Sequence, residues 1–184
     1  MSQTPRRSAF GRRVGRPLAS RRALFGAFLA LGLLAACGGP PPKTATPKRA
    51  LDERRAVAVI IQAFHEEHDR PVPGRKVEIG AGKSLEVDVG SQGHKYGVAY
   101  VTPMEEDQLG SALPPRTKAM GDALQLVSGT GDESDARLLV LRNNDYLYDD
   151  QIGTEHTETT ITAEHKLTRD VRDFLVRAHA EHWP

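Results

Sequence analysis

The chain has very few of the residues that hold small secreted domains together. Cys37 is the only cysteine among 184 residues, and tryptophan also occurs once. A single cysteine cannot form a disulfide within the chain, so the fold must depend on its core. Aromatic residues make up only 5% of the sequence, and no aromatic run indicates a surface on which sugars would stack.

Common catalytic signatures are also missing. The sequence contains no Gly-x-Ser-x-Gly elbow, no His-Glu-x-x-His helix and no Ser-x-x-Lys motif. Residues 80–84 look like the end of a phosphate-binding P-loop, but Val77 stands where the motif requires its first glycine. Ser84 also opens a predicted strand, whereas a P-loop opens a helix whose amino end holds the phosphate. We therefore expect a tight hairpin turn at this place, and no nucleotide.

The first 36 residues contain seven arginines and no acidic residue. Within them lies an uncharged apolar run, residues 23–36, which is shorter than the roughly 20 residues needed to cross a bilayer as a stable helix. The run ends in Leu34, Ala35 and Ala36, directly before Cys37. This pattern indicates a targeting segment that is removed.

Residues 20–37 resemble the precursor of a bacterial lipoprotein, in which Arg21 and Arg22 stand at the position of the twin-arginine export motif. The resemblance implies cleavage before Cys37, a diacylglycerol on its sulfur, and a further acyl chain such as palmitate on the new amino terminus. Two or more chains anchor a protein stably in a membrane, so membrane lipid is the expected partner of Cys37. Gly38 replaces the aspartate that retains some lipoproteins at the inner membrane, which favours the outer membrane.

Removal of residues 1–36 would leave 18 basic and 24 acidic residues, a formal charge of −6. An acidic domain repels phosphate backbones, so no nucleic acid is expected as a partner. Residues 37–48 are rich in Gly, Pro, Thr and Lys, and we interpret them as a lipidated tether. Residues 49–184 then form one globular domain of ordinary size.

Hydrophobic periodicity divides this domain into helices and strands. We predict a first helix from just after Thr46 and Pro47 to about His68, a short one from Pro103 to about 113, and a last one over 163–181. For the second helix, Thr102 and Glu105 have the spacing of a capping box. The predicted strands cover residues 75–79, 85–89, 95–101, 124–127, 136–141 and 145–148, with a further one possible at 157–162.

Short turns join most neighbouring strands, which predicts a largely antiparallel sheet. The expected fold is α+β, with five to seven strands and three helices in the order α-βββ-α-βββ(β)-α. On the strand at residues 95–101, Gly97 and Ala99 share one face, and we expect a helix to pack against that face.

Two hypotheses for function remain open. The first is a lipid-anchored binding or scaffolding module of the cell envelope that contacts a protein or small ligand. The second is a small metal-dependent hydrolase, in which His and Asp side chains bind a divalent metal or act as acid and base. The candidate ligands are His65, His68, Asp149, Asp150 and His156. A second pair with the same spacing, His179 and His182, lies near the end of the last helix.

Overall fold

The computed structural model describes residues 47–80, 82–116, 124–149 and 159–184. These residues belong to one compact unit, Ala45–Pro184. Arg21, Arg22, Cys37, Asp150 and His156 lie outside the described residues. The fold is α+β, as predicted, and its described part contains three α-helices and a five-stranded sheet.

The three helices begin at side-chain caps. Asp52 accepts a hydrogen bond from Arg54 N at the start of α1, Glu53–Glu66. Thr102 and Glu105 form the predicted capping box of α2, Pro103–Leu109, which a 3-10 turn extends over Gly110–Ala112. The third helix, α3, spans Thr160–Ala180 and is capped by Thr159.

Nine short strands complete the described part of the fold. They are β1 (Arg49–Ala50), β2 (Pro71–Pro73), β3 (Lys76–Gly80), β4 (Lys83–Glu86), β5 (Val89–Ser91), β6 (Tyr96–Val101), β7 (Leu126–Ser128), β8 (Arg137–Arg142) and β9 (Leu147–Tyr148). The main sheet has the order β2-β5-β6-β8-β7, while β1 pairs with β9 and β3 with β4 in two separate hydrogen-bonded pairs. The central pair β6 and β8 is parallel, and the other pairs are antiparallel.

The sheet separates two clusters of buried side chains. On one face, Tyr96, Val98 and Tyr100 of β6 pack under α1 and α3. On the other face, Ala99 and Val101 pack under α2 and the β3-β4 hairpin. We refer to these as the helix face and the hairpin face.

The hairpin face confirms one expectation in full and a second one in part. As expected, β3 and β4 form an antiparallel hairpin here, and Gly80 and Gly82 have φ values of 112° and 68°, which favour glycine. Lys83 Nζ donates to the carbonyls of Gln108 and Leu109 and so satisfies the carboxyl end of α2. The expected helix is present on this face as α2, which covers Ala99, but Gly97 itself lies against Val87 and β5, where a Cβ would stand 2.7 Å from Val87 Cγ1 and 2.8 Å from the Val89 carbonyl oxygen.

Several predicted boundaries are wrong. The helix α1 begins only at Glu53, because the chain first forms β1 beside β9. The single strand expected at 85–89 is two strands, of which β4 belongs to the hairpin and β5 to the main sheet. Thr160 to Thr162 are helical, and the rest of the strand predicted at 157–162 falls on Thr159 and on residues outside the described part. Among the described residues, no helix is both long enough and apolar enough to cross a membrane.

Candidate functional site: a histidine-rich pole

The helices α1 and α3 lie side by side and run in the same direction. Near their starts Arg55 pairs with Glu164, Arg172 Nε in the second half of α3 pairs with Glu67 Oε1 at the end of α1 at 2.6 Å, and His179 in the last turn of α3 lies 3.3 Å from Asp69 just after α1. The carboxyl ends of both helices therefore meet at one end of the sheet. The sequence contains both histidine pairs but gives no indication that they would lie together.

Each helix ends in the same hydrogen-bonding motif. At the end of α1, His68 N donates to His65 O, and Asp69 N donates to Phe64 O. His182 and Trp183 repeat the arrangement at the end of α3, with bonds to His179 O and Ala178 O. This is the Schellman motif, whose C′ residue has a positive φ and is usually glycine. Histidine occupies that position twice here, with φ values of 64° and 53°.

Asp69, the last residue of the first motif, joins the two helix ends. Its carboxylate is 10% exposed, accepts hydrogen bonds from Tyr96 Oη at 3.1 and 3.3 Å, and lies 3.3 Å from His179 Nε2. Against an ionised carboxylate, which only accepts, His179 would donate from Nε2. Burial first, and then the charge of Asp69, raise the pKa of Tyr96 to about 12, which keeps its hydroxyl a donor at ordinary pH.

A turn before β6 completes this end of the molecule. The ring of His94 stacks on Tyr96 with centroids 4.9 Å apart. Gln92 N donates to Arg70 O at 2.9 Å and Lys95 N donates to Pro184 O at 2.5 Å, so the turn is tied to both helix ends. We call residues 65–70, 92–95 and 177–184 together the histidine pole.

Imidazoles are concentrated in the histidine pole. It holds five of the seven histidines of the chain, and all five are exposed. They are His65, His68, His94, His179 and His182. The same segments carry four acidic and three basic residues, so their formal charge is −1 with neutral imidazoles and +4 when all five are protonated.

The predicted metal site is not brought together by the described residues. His65 and His68 lie in the histidine pole, whereas Asp149 follows β9 and lies near the start of α1. The 14 residues of α1 separate them by about 20 Å. No three His, Cys, Asp or Glu side chains of the described residues are placed to bind one metal ion. Asp150 and His156 lie outside the described residues.

The pair of Asp69 and His179 has half of the arrangement used in general base catalysis, an imidazole oriented by a carboxylate. Within the described residues no hydroxyl or thiol hydrogen-bonds to His179. The described groups of the histidine pole form a polar surface that carries five exposed imidazoles beside the partly buried ring of Trp183. Such a surface is suited to binding.

Sequence reasoning found four of the five histidines of the pole but missed Asp69, Tyr96 and His94. Asp69 and His179 are 110 residues apart, and only the parallel packing of α1 and α3 joins them. A partial signal exists in the sequence: both histidine pairs have the same spacing and close a helix.

Comparison with known protein families, with characterised proteins and with solved structures finds no match to this chain.

Proposed function

We propose that this protein is a lipid-anchored binding module of a bacterial envelope. The observation that carries the proposal is the run of uncharged residues ending in Leu34, Ala35 and Ala36 directly before Cys37. Cleavage before Cys37 and acylation of its sulfur would attach residues 37–184 to a membrane, and the histidine pole would be available to an envelope protein or a small ligand. Two or three acyl chains suffice for stable attachment.

Substitution of Cys37 tests the anchor. In cells given labelled palmitate, the natural chain should incorporate label and partition into a detergent phase, and Cys37→Ser should do neither. Gly38→Ala is the matched control, because it changes the neighbouring residue and leaves the thiol in place. Equal labelling and partitioning of the Cys37→Ser variant would disprove acylation at this residue.

The export route has its own test. Arg21→Lys together with Arg22→Lys should strongly reduce the amount of processed chain, since the twin-arginine motif requires its arginines. The double change Arg12→Lys and Arg13→Lys alters an equally charged pair in the same segment and should leave processing unchanged. Equal loss in both variants would show that the leader needs arginines in general and not a motif at residues 21 and 22.

The residue after the cysteine tests the choice of membrane. We propose the outer membrane because Gly38 lacks the carboxylate of the retention signal. Gly38→Asp should then shift the protein from the outer to the inner membrane on density-gradient fractionation, and Gly38→Asn should shift it less. An unchanged distribution would remove this argument for the outer membrane.

A further inference from the structure

Arg142 is a charged side chain buried at the end of the parallel strand pair. It is the last residue of β8, stands opposite Val101 at the end of β6, and is only 2% exposed. Its Nη2 donates to Pro114 O at 2.6 Å, but Nη1, which carries two N–H donors, has no acceptor among the described residues. Buried donors without acceptors are rare in native folds, so this one requires an explanation.

The neighbouring carboxylate does not satisfy Arg142. The Nε of Arg142 lies 2.9 Å from Glu106 Oε1 but is not aligned to donate a hydrogen bond to it. Glu106 instead accepts two hydrogen bonds from Arg116, at 3.1 and 2.8 Å. These bonds first, and then the charges of Arg116 and Arg142, hold the pKa of Glu106 below its ordinary value despite partial burial. One carboxylate is therefore shared by two guanidinium groups, and the more exposed of them receives its hydrogen bonds.

A second unpartnered group lies on the same side of the sheet. Gln125 Oε1 is buried and accepts no hydrogen bond from the described residues. Gln125 stands opposite Val140, whose N donates to its carbonyl, and Arg142 follows two residues later on β8. Side chains two positions apart on a strand point to the same face, and diagonal neighbours on two strands lie about 7–8 Å apart. Arg142 and Gln125 can therefore contact one small ligand.

Charge and size restrict that ligand. Glu106 pairs with Arg116 and lies beside Arg142, and Asp145 lies 3.7 Å from Arg116 Nη1. The four formal charges cancel, so a monoanion is accommodated more easily than a dianion such as phosphate. A carboxylate supplies acceptors for Arg142 but no donor for Gln125, so the ligand also needs a donor. A hydroxyl group suits that role better than an ammonium group, which the two arginines would repel.

We propose that Arg142 and Gln125 form a binding site for a small hydroxycarboxylate such as glycolate. The carboxylate accepts from Arg142 Nη1, and the hydroxyl donates to Gln125 Oε1. The charge-assisted bond contributes most of the affinity, and the hydroxyl distinguishes the ligand from a plain carboxylate. The site lies at the other end of β6 from the histidine pole and does not depend on the lipid anchor of the proposed function.

Titration with three anions tests the site. The full chain in a nonionic detergent, at about pH 7.5 where carboxylic acids are ionised, is titrated by calorimetry with glycolate, acetate and inorganic phosphate. Each anion replaces chloride at constant ionic strength. We expect one glycolate per chain, bound at least about tenfold tighter than acetate or phosphate. Failure of glycolate to bind would mean that water bridges the two groups, and this result, or equal binding of acetate or phosphate, would overturn the proposal.

A substitution at Gln125 can supply the carboxylate from within the chain. Gln125→Glu keeps the shape of the side chain and places a carboxylate that can itself accept from Arg142. Without ligand, this variant should have a higher thermal midpoint than the natural chain. Its affinity for glycolate should be at least about tenfold weaker, because the acceptor position is taken.

Asn144→Asp is the matched control, because it adds the same charge two residues after Arg142 on an exposed side chain. An exposed charge has little effect on a buried site, so glycolate should bind this variant within about twofold of the natural chain. Unchanged binding to Gln125→Glu, or an equal loss in the control, would contradict the assignment. Palmitate labelling measures the anchor separately, so either proposal can fail without the other.

Discussion

The two faces of the five-stranded sheet are buried in different ways. On the helix face, two long parallel helices cover large side chains, and Phe64 and Phe174 are both 0% exposed. On the hairpin face, a short helix and two short strands cover mainly valine, alanine and leucine. The helix face therefore concentrates apolar area in a few large groups, while the hairpin face depends on close fit, as at Gly97.

Replacing one buried side chain on each face with alanine should give the largest difference between the two faces in the free energy of unfolding. Phe174→Ala removes a ring that contacts Tyr96 and Trp183, and we expect a loss of about 3–5 kcal/mol in the free energy of unfolding. Val77→Ala on the hairpin face removes two carbons and should cost about 2 kcal/mol. Urea denaturation of both variants measures the difference, and equal losses would show that the two faces do not differ in this way.

Two tyrosine hydroxyl groups allow a finer comparison within the helix face, because one donates to a charged acceptor and the other to a neutral one. Tyr96→Phe removes a donor to a charged carboxylate and should cost about 2 kcal/mol, whereas Tyr100→Phe removes a 3.0 Å bond to the neutral Leu51 carbonyl and should cost about 1 kcal/mol. The two positions lie on the same strand and point to the same side. Urea denaturation of the two variants gives the ranking, and a larger loss for Tyr100→Phe would show that Asp69 does not depend on the Tyr96 hydroxyl.

Periodicity predicted the helix face well. Leu167, Val171, Phe174, Leu175 and Ala178 form the expected stripe of α3, and all five are buried. A long amphipathic helix repeats its signal over several turns, so its existence and its buried face can both be predicted. The prediction of a strand failed at Thr160 and Thr162, because the cap at Thr159 starts the helix there although threonine prefers strands.

The hairpin face was predicted less well, and Asp88 shows why. Apolar alternation continues from Leu85 to Val89, although the chain leaves one sheet and joins another at Asp88. The break depends on bonds to distant residues: Asp88 N donates to Val98 O and its carboxylate accepts from Tyr100 N. A local sequence pattern carries no information about hydrogen bonds to such distant residues. The contact of Asp69 with His179 was missed for the same reason.

Asp88 also gives the junction of the two faces a pH dependence. Burial, opposed in part by the bond from Tyr100 N and reinforced by Glu53, Glu105 and Glu86, raises the pKa of Asp88 to about 6. A carboxyl group with a raised folded-state pKa stabilises the fold fully below its unfolded value, and this contribution is lost as the pH rises to about 6. The ionised group therefore costs stability at neutral pH.

Asp88→Asn keeps an oxygen that can accept from Tyr100 N and removes the charge. Because the site is partly solvated, we expect a gain of about 1–2 kcal/mol above pH 7 and little change near pH 4. Urea midpoints of the natural chain and the variant between these pH values test the prediction. A difference that does not vary with pH would show that Asp88 is not the titrating group, and Glu86→Gln on the exposed hairpin serves as a control.

The smallest effect concerns the helix ends that form the histidine pole. His68 and His182 have positive φ, a conformation that glycine adopts without strain, so His68→Gly and His182→Gly should each stabilise the fold by about 0.5–1 kcal/mol. His65→Gly, inside the last turn of α1, should destabilise it by a few tenths of a kcal/mol, because glycine is a poorer helix former. Thermal denaturation separates these signs. If glycine stabilises the fold at positions 68 and 182 but destabilises it at position 65, histidine at the two C′ positions costs stability. Such a cost is expected if the imidazoles themselves are used. Destabilisation by glycine at all three positions would instead mean that the side chains support the helix ends.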